Sequence, residues 1–138
     1  MPELPDVEVY VEALRERVLG RVLDRVILCS PFLLRSAGTP LESAHGHAVR
    51  DVRRVGKRIA LGFEPGPWLA LHLMIAGRLH WRESGTNKGA RKPGSKGLLA
   101  IFEFDSGSLY FTEAGSQHRE PDLFFGRGRL WPAKKTLR

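Results

Sequence analysis

Apolar residues near the amino terminus recur at the spacing of a helix. Four of them are separated by four, three and four positions, which places them on one face of a helix over 5–19. Pro5 suits the first helical turn, and Gly20 suits the position where the helix stops. The members of this apolar stripe are Val7, Val11, Leu14 and Val18.

Beyond Gly20 the apolar runs become short and are separated by turn residues, which predicts strands. The predicted strands are 22–28, 48–55, 58–63, 68–75, 78–82, 98–104 and 108–112, with a short helix near 40–45. One long helix followed by many short strands predicts an α+β, mainly β fold. We expect a β-sandwich of short antiparallel strands flanked by the amino-terminal helix.

Two segments break this pattern. Residues 84–97 are rich in glycine and basic side chains, and two interpretations remain open: a solvated hairpin loop or a phosphate contact. Residues 119–138 mix aromatic, basic, proline and glycine residues without a period. We therefore divide the chain into a domain over 1–118 and a basic tail of unknown structure over 119–138.

Composition and charge narrow the functional classes. The 138 residues suit one globular domain, and the net charge of +7 with a pI of about 10.2 favours a polyanionic partner. Cys29 is the only cysteine, which excludes an internal disulfide and a cysteine-rich zinc site. No apolar run is long enough to span a membrane, and the acidic start does not fit a secretory signal.

Pro2 and Glu3 are the residues with the clearest chemical potential. Removal of Met1 would expose a secondary amine, and an α-amino group has a pKa of about 7.7–8.0 against about 10.4 for lysine. Such an amine can attack a sugar carbon and form a Schiff base, with the carboxylate of Glu3 moving protons. The dipeptide alone also fits an ordinary chain start, with Glu3 beside the positive end of the helix dipole.

The wider sequence supports the chemical interpretation. The opening MPELPDVE, followed by an amphipathic helix, resembles the start of the formamidopyrimidine-DNA glycosylase and endonuclease VIII family. Three later segments agree with that family in order and spacing, and the resemblance covers about residues 1–118. They are VRRVGKR at 52–58, LHLMIAG at 71–77 and LYFTE at 109–113.

The resemblance implies a DNA repair glycosylase. Such an enzyme removes oxidised bases from duplex DNA after flipping them out of the stack, and then cleaves the strand as an abasic-site lyase. It implies damaged double-stranded DNA as the partner, and we expect a monomer in the cytoplasm, associated with the nucleoid. We expect no cofactor in this chain, because nothing in it resembles the family's zinc finger.

The resemblance also implies roles for single residues. Pro2 would attack C1′, Glu3 would be the acid–base partner, and Lys57 would hold a phosphate beside the lesion. Met74 or Ile75 would supply the apolar wedge that fills the place of the flipped base. The remaining expected DNA contacts are Arg58, His72, Lys88 and Arg91.

The chain departs from the family in two ways. After Thr112 it reads EAGSQHR, without the arginine and phenylalanine of the family pattern, although Gln117, His118 or Arg119 could substitute. Nothing in it resembles the family's second, helical domain. A truncated product, a fragment, and a change of reading frame near Arg119 are the open explanations.

Three other functions compete with the enzyme. The chain could be a non-catalytic damaged-DNA-binding module of the same family, since half of the expected DNA clamp is missing. It could be an unrelated β-rich module for RNA or acidic partners, with aromatic residues on its strands as stacking platforms. A metal hydrolase is disfavoured, because no acidic cluster completes the pairs His45/His47 or His72/His80. The strand aromatics are Phe102, Phe104, Tyr110 and Phe111.

Overall fold

The computed structural model describes seven stretches of the chain, and the structural statements below concern those residues. They are 4–30, 33–36, 40–63, 66–74, 77–86, 90–114 and 121–127. Within these stretches no helix has both the length and the apolar character needed to cross a membrane.

The amino-terminal helix α1 spans Leu4–Val18, one residue earlier at each end than predicted. Its apolar stripe faces the protein interior, where each of the four members is at most 3% exposed. Gly20, with φ at +82°, follows the helix and turns the chain into the first strand. The spacing of apolar residues therefore identified both the helix and the face that it buries.

Nine strands and one short 3₁₀ helix follow. Three predicted strands match end to end and most others differ by one residue, but β5 ends at His72, three residues before its predicted end. The elements are β1 Val22–Leu28, β2 Leu34–Ser36, η1 Leu41–Ala44, β3 His47–Val55, β4 Arg58–Phe63, β5 Pro67–His72, β6 Gly77–Glu83, β7 Leu98–Phe104, β8 Gly107–Glu113 and β9 Asp122–Arg127.

The strands form two halves joined by a short pairing. The first half has the order β2-β9-β5-β4-β3, the second has the order β1-β7-β8-β6, and β1 meets β3 through only two residue pairs. Buried residues of the helix and of both halves belong to one apolar cluster. Two sheet faces that share one core, with a helix beside them, confirm the predicted α+β, mainly β fold.

The carboxyl-terminal segment contributes a strand that the sequence pattern did not predict. β9 lies inside the segment interpreted as a basic tail, and it pairs antiparallel with β5 and parallel with β2. Leu123 and Phe125 of β9 are fully buried in the shared core. The β2–β9 pair is parallel, whereas the other strand pairs of the described residues are antiparallel. Burial of these two side chains gives the strand its place in the sheet, despite its irregular neighbours.

Candidate functional site

A group of basic side chains lies at one end of the first half of the sheet. Lys57 is in the turn between β3 and β4, and Arg58 begins β4. In the register of the sheet Arg58 is opposite His72, the last residue of β5. We call Lys57, Arg58 and His72 the basic end. The structure thus brings together three of the residues for which the sequence predicted DNA contacts.

The amino-terminal end of the helix points to this same end of the sheet. Residues earlier in α1 contact residues later in β3, so the helix and the strand run antiparallel. Leu4, the first helical residue, therefore lies towards the β3–β4 turn that carries Lys57. Three contacts define the direction: Gly20 N to Val49 O at 2.8 Å, Arg15 Nε to Val52 O at 2.9 Å, and Arg54 Nε to Glu8 Oε2 at 2.5 Å.

Arg54 fastens the helix to the β3–β4 turn. It donates from Nε to Glu8 and from Nη1 to the carbonyl oxygen of Gly56, the latter at 2.9 Å. Its neighbour Arg53 is paired with Asp51 at 2.5 Å and lies 5.1 Å from the ring centre of Trp68. Arg53 and Arg54 are thus each paired with an acid, and Arg54 also bonds the β3–β4 turn. Lys57 lies in the same turn and is exposed to solvent.

The β5–β6 loop follows His72 directly and has an unusual backbone. Met74 has φ at +58°, a left-handed conformation that is uncommon and costly for a residue with a side chain. Gly77 donates its N–H to the carbonyl oxygen of Leu73 at 2.8 Å, which closes the loop. A Cβ on Gly77 would be only 2.4 Å from that oxygen, so the loop requires glycine there. This closure ends β5 early and sets Met74 in the loop instead of the predicted strand.

Arg91 occupies a different place from the basic end. Its backbone N–H donates to the hydroxyl of Tyr110 at 3.2 Å, and its guanidinium carbon is 5.6 Å from the centre of the Tyr110 ring. Tyr110 is on β8, in the second half of the sheet. Part of the basic loop over 84–97 is therefore anchored to the sheet rather than merely solvated. The predicted site residues Pro2, Glu3, Ile75 and Lys88 lie outside the described residues.

Several structurally important residues had no clear signal in the sequence. The Glu8–Arg54 pair joins residues 46 positions apart, and the Arg82–Tyr110 hydrogen bond joins residues 28 positions apart. A single sequence does not reveal such distant partners. Gly77 was visible as a turn residue, but only the position of the Leu73 carbonyl shows why a side chain cannot be accommodated.

His45 and Cys29 are two further side chains that could be reactive, and both are held within the fold. Among the described residues, no three histidine, cysteine or acidic side chains are grouped so that they could hold a metal ion. His45 accepts the backbone N–H of Val26 on its Nε2 at 3.1 Å, which ties the turn after η1 to β1. Burial raises the pKa of the Cys29 thiol, against a smaller opposing effect of a backbone hydrogen bond with Gly94.

Known proteins match this chain in sequence and in fold. The sequence profile described as the formamidopyrimidine-DNA glycosylase N-terminal domain matches residues 1–116. The formamidopyrimidine-DNA glycosylase of Mycoplasma genitalium is 32% identical over 110 residues, covering 78% of this chain and 37% of that protein. Its counterpart in Gluconobacter oxydans is 36% identical over 109 residues, covering 78% of this chain and 38% of that protein.

Solved structures agree with the sequence matches. The MutM (Fpg) protein from Thermus thermophilus has a TM-score of 0.73 and 28% identity, covering 99% of this chain and 44% of that one. The Lactococcus lactis formamidopyrimidine-DNA glycosylase, non-covalently bound to DNA containing an AP site, has a TM-score of 0.72 over 88% of this chain and 45% of that one. At 19% identity, the second match shows the fold alone.

This chain spans 37–38% of the length of the two curated relatives above. The profile match nevertheless covers most of the chain, from its first residue to residue 116, and includes the helix, the basic end and the β5–β6 loop. The earlier resemblance is confirmed: the chain belongs to the formamidopyrimidine-DNA glycosylase family, and its residues 1–116 match the N-terminal domain of that family.

Proposed function

We propose that this domain acts on damaged duplex DNA as the catalytic part of a DNA glycosylase with associated abasic-site lyase activity. One observation carries the proposal: the start of α1 and the basic end lie at the same end of the molecule. A nucleophile at the chain start and cations that hold phosphates must be close together to act on one nucleotide. Only two peptide units, of about 3.8 Å each, separate Pro2 from Leu4.

The Pro2 amine is the nucleophile in this proposal. Once Met1 is removed, its free-base nitrogen attacks C1′ and the C1′–base bond breaks, with the bonding electrons and a proton leaving on the base. The nitrogen lone pair then forms an iminium ion as the sugar ring opens. Loss of a C2′ proton expels the 3′ phosphate, and water finally releases the amine from the sugar. Glu3 is the group that delivers and removes these protons.

The basic end holds the DNA strand in this reaction. Lys57 is exposed at the tip of a turn that Arg54 fastens to the helix, so its position is tied to the start of the chain. We assign it the phosphate next to the damaged nucleotide, with Arg58 and His72 holding the adjoining backbone. Fixed cations of this kind position the sugar and stabilise the departing phosphate.

The β5–β6 loop supplies the wedge that keeps the damaged base out of the stack. Met74 is only partly buried and has a left-handed backbone, so the loop holds an apolar side chain at the surface at an energetic cost. Backbone strain of this kind is concentrated at functional sites. We assign the wedge to Met74 or to its neighbour Ile75.

A second candidate function is damaged-DNA binding without catalysis. It is favoured by the basic end, whose cations Lys57 and Arg58 can hold a DNA backbone in a salt-dependent way without any reaction at Pro2. The two functions differ in one respect, the formation of a covalent bond.

Borohydride trapping distinguishes the two functions. The chain is incubated with a duplex containing one abasic site, and borohydride reduces any Schiff base to a stable amine. We expect a covalent complex from the chain lacking Met1, and at least a roughly 100-fold lower yield when the amino terminus is blocked, as removal of a nucleophile implies. Binding without any adduct would favour the binding module. An equal adduct from the blocked chain would refute Pro2 as the nucleophile.

A further inference from the structure

A second group of basic side chains lies on the face of β6 that points away from the core. Leu79 and Trp81 pack with the apolar cluster, so the alternating residues of the strand face the other way. These are Arg78, His80 and Arg82, and the loop residue Arg91 lies beside them. We call these four residues the outer-face cluster. It is in the second half of the sheet, whereas the basic end is in the first.

Tyr110, on the neighbouring strand β8, contacts two members of this cluster, Arg82 and Arg91. It is opposite His80 in the sheet register and only 3% exposed. Its hydroxyl accepts from Arg82 Nε at 3.0 Å and from the backbone N–H of Arg91 at 3.2 Å. The Arg91 guanidinium lies over its ring, and Arg82 also donates to the carbonyl oxygen of Thr86 at the start of the loop. Arg82 and Arg91 are therefore held in place before any ligand arrives.

The cluster gathers positive charge around His80. Ion pairs within the described residues neutralise five other arginines, and none joins an acid to Arg82 or Arg91. His80 is exposed, yet partial loss of hydration, followed by the charges of Arg91 and Arg78, holds its pKa below the ordinary value. His80 therefore lies near Arg91 and Arg78, shares its strand face with Arg82, and is opposite Tyr110 in the sheet. An anion placed among them would relieve the repulsion between them.

We propose that the outer-face cluster is a phosphate-binding subsite in which His80 takes up a proton from solvent when the phosphate binds. A phosphate offers several oxygens to the guanidinium groups, and its negative charge favours the imidazolium form of His80. If the phosphate belongs to a DNA strand, the subsite rests on the proposed function and extends the DNA contacts beyond the basic end. If it belongs to a free polyphosphate, the subsite is independent of DNA.

Nuclear magnetic resonance of the histidine ring tests the proposal. The pKa of His80 is measured in the chain alone, with inorganic pyrophosphate, and with a short undamaged duplex. We expect a rise of about one unit on binding, which corresponds to about tenfold tighter binding well below the His80 titration than well above it. A rise with pyrophosphate alone identifies a free polyphosphate. A rise with the duplex identifies the strand backbone, and no rise with either ligand overturns the proposal.

Variants separate a specific site from general attraction by charge. Arg91→Ala should weaken pyrophosphate or duplex binding by about tenfold, as expected for loss of one charged hydrogen-bonding group. Arg21→Ala is the matched control, because Arg21 is exposed and paired with Asp105 outside the cluster. His80→Gln should keep binding at high pH and remove the increase at low pH. Equal weakening by Arg91→Ala and Arg21→Ala would refute a defined subsite.

The two proposals fail separately in these experiments. The pyrophosphate titration involves no DNA and no reaction at Pro2, whereas borohydride trapping reports on Pro2 and not on His80. A chain that forms the adduct but shows no His80 response loses the subsite and keeps the proposed function. A chain that shows the response with pyrophosphate but forms no adduct keeps the subsite and loses the proposed function.

Discussion

Phe125 and Phe124 form a matched pair that tests whether β9 belongs to the core. Phe125 is fully buried and pairs in register with Leu69, whereas Phe124 is only partly buried beside Ala70. Replacing a buried phenylalanine with alanine removes its transfer free energy and leaves a cavity, for a cost of about 3–5 kcal/mol. The same replacement at Phe124 should cost about 1–2 kcal/mol, because its site opens to solvent.

Urea unfolding measures this difference. With a denaturant dependence of about 2 kcal/mol per molar, Phe125→Ala should lower the midpoint by about 1.5–2.5 M, and Phe124→Ala by less than about 1 M. The larger loss is comparable to the whole stability of a small domain, about 5–15 kcal/mol. Phe125→Leu, at roughly 1–2 kcal/mol, therefore provides a variant that still folds. Equal and small losses at both phenylalanines would show that β9 is not part of the core.

Three further predictions concern other parts of the structure. Gly77→Ala should destabilise the domain by about 1–3 kcal/mol in the same unfolding assay, because its Cβ would displace the Leu73 carbonyl; an unchanged midpoint would contradict this. The pKa of His80 is lowered in the folded state, so the unfolded chain binds a proton at this residue more tightly. The contribution of His80 to the free energy of unfolding therefore decreases as the pH drops below about 6.5. His80→Gln should reduce that fall and leave stability above neutral pH unchanged, and an identical pH profile would refute the assigned environment. Cys29 should react with iodoacetamide more slowly than a free thiol at a pH of about 8, because burial raises its pKa; a rate equal to that of glutathione would contradict this.

The core of the fold could be predicted because periodicity reports burial directly. The apolar stripe from Val7 to Val18 and the apolar residues of β4 are each buried along their whole length. β9 could not be predicted in the same way, because Leu123 and Phe125 are surrounded by charged, proline and glycine residues. Its place depends on pairing with β5, about 55 positions earlier in the chain. Local patterns contain no information on such pairing.

The candidate site could be predicted in composition but not in geometry. Lys57, Arg58 and His72 were identified as basic residues in family-like segments, and the register of β4 and β5 brings Arg58 and His72 together. The contact between Glu8 and Arg54, which directs the helix start to the same end, depends on how the helix packs across the sheet. Met74 was expected within a strand, and the closed turn between Leu73 and Gly77 places it in a loop instead.

The most direct test of the proposed chemistry is to locate the reduced adduct on the chain. After borohydride trapping with an abasic-site duplex, the complex is digested and its peptides are analysed by mass spectrometry. We predict that the sugar remnant is attached to the amino-terminal peptide, on the nitrogen of Pro2, with Met1 absent. A remnant on Lys57, on another lysine, or on a chain that retains Met1 would contradict Pro2 as the nucleophile.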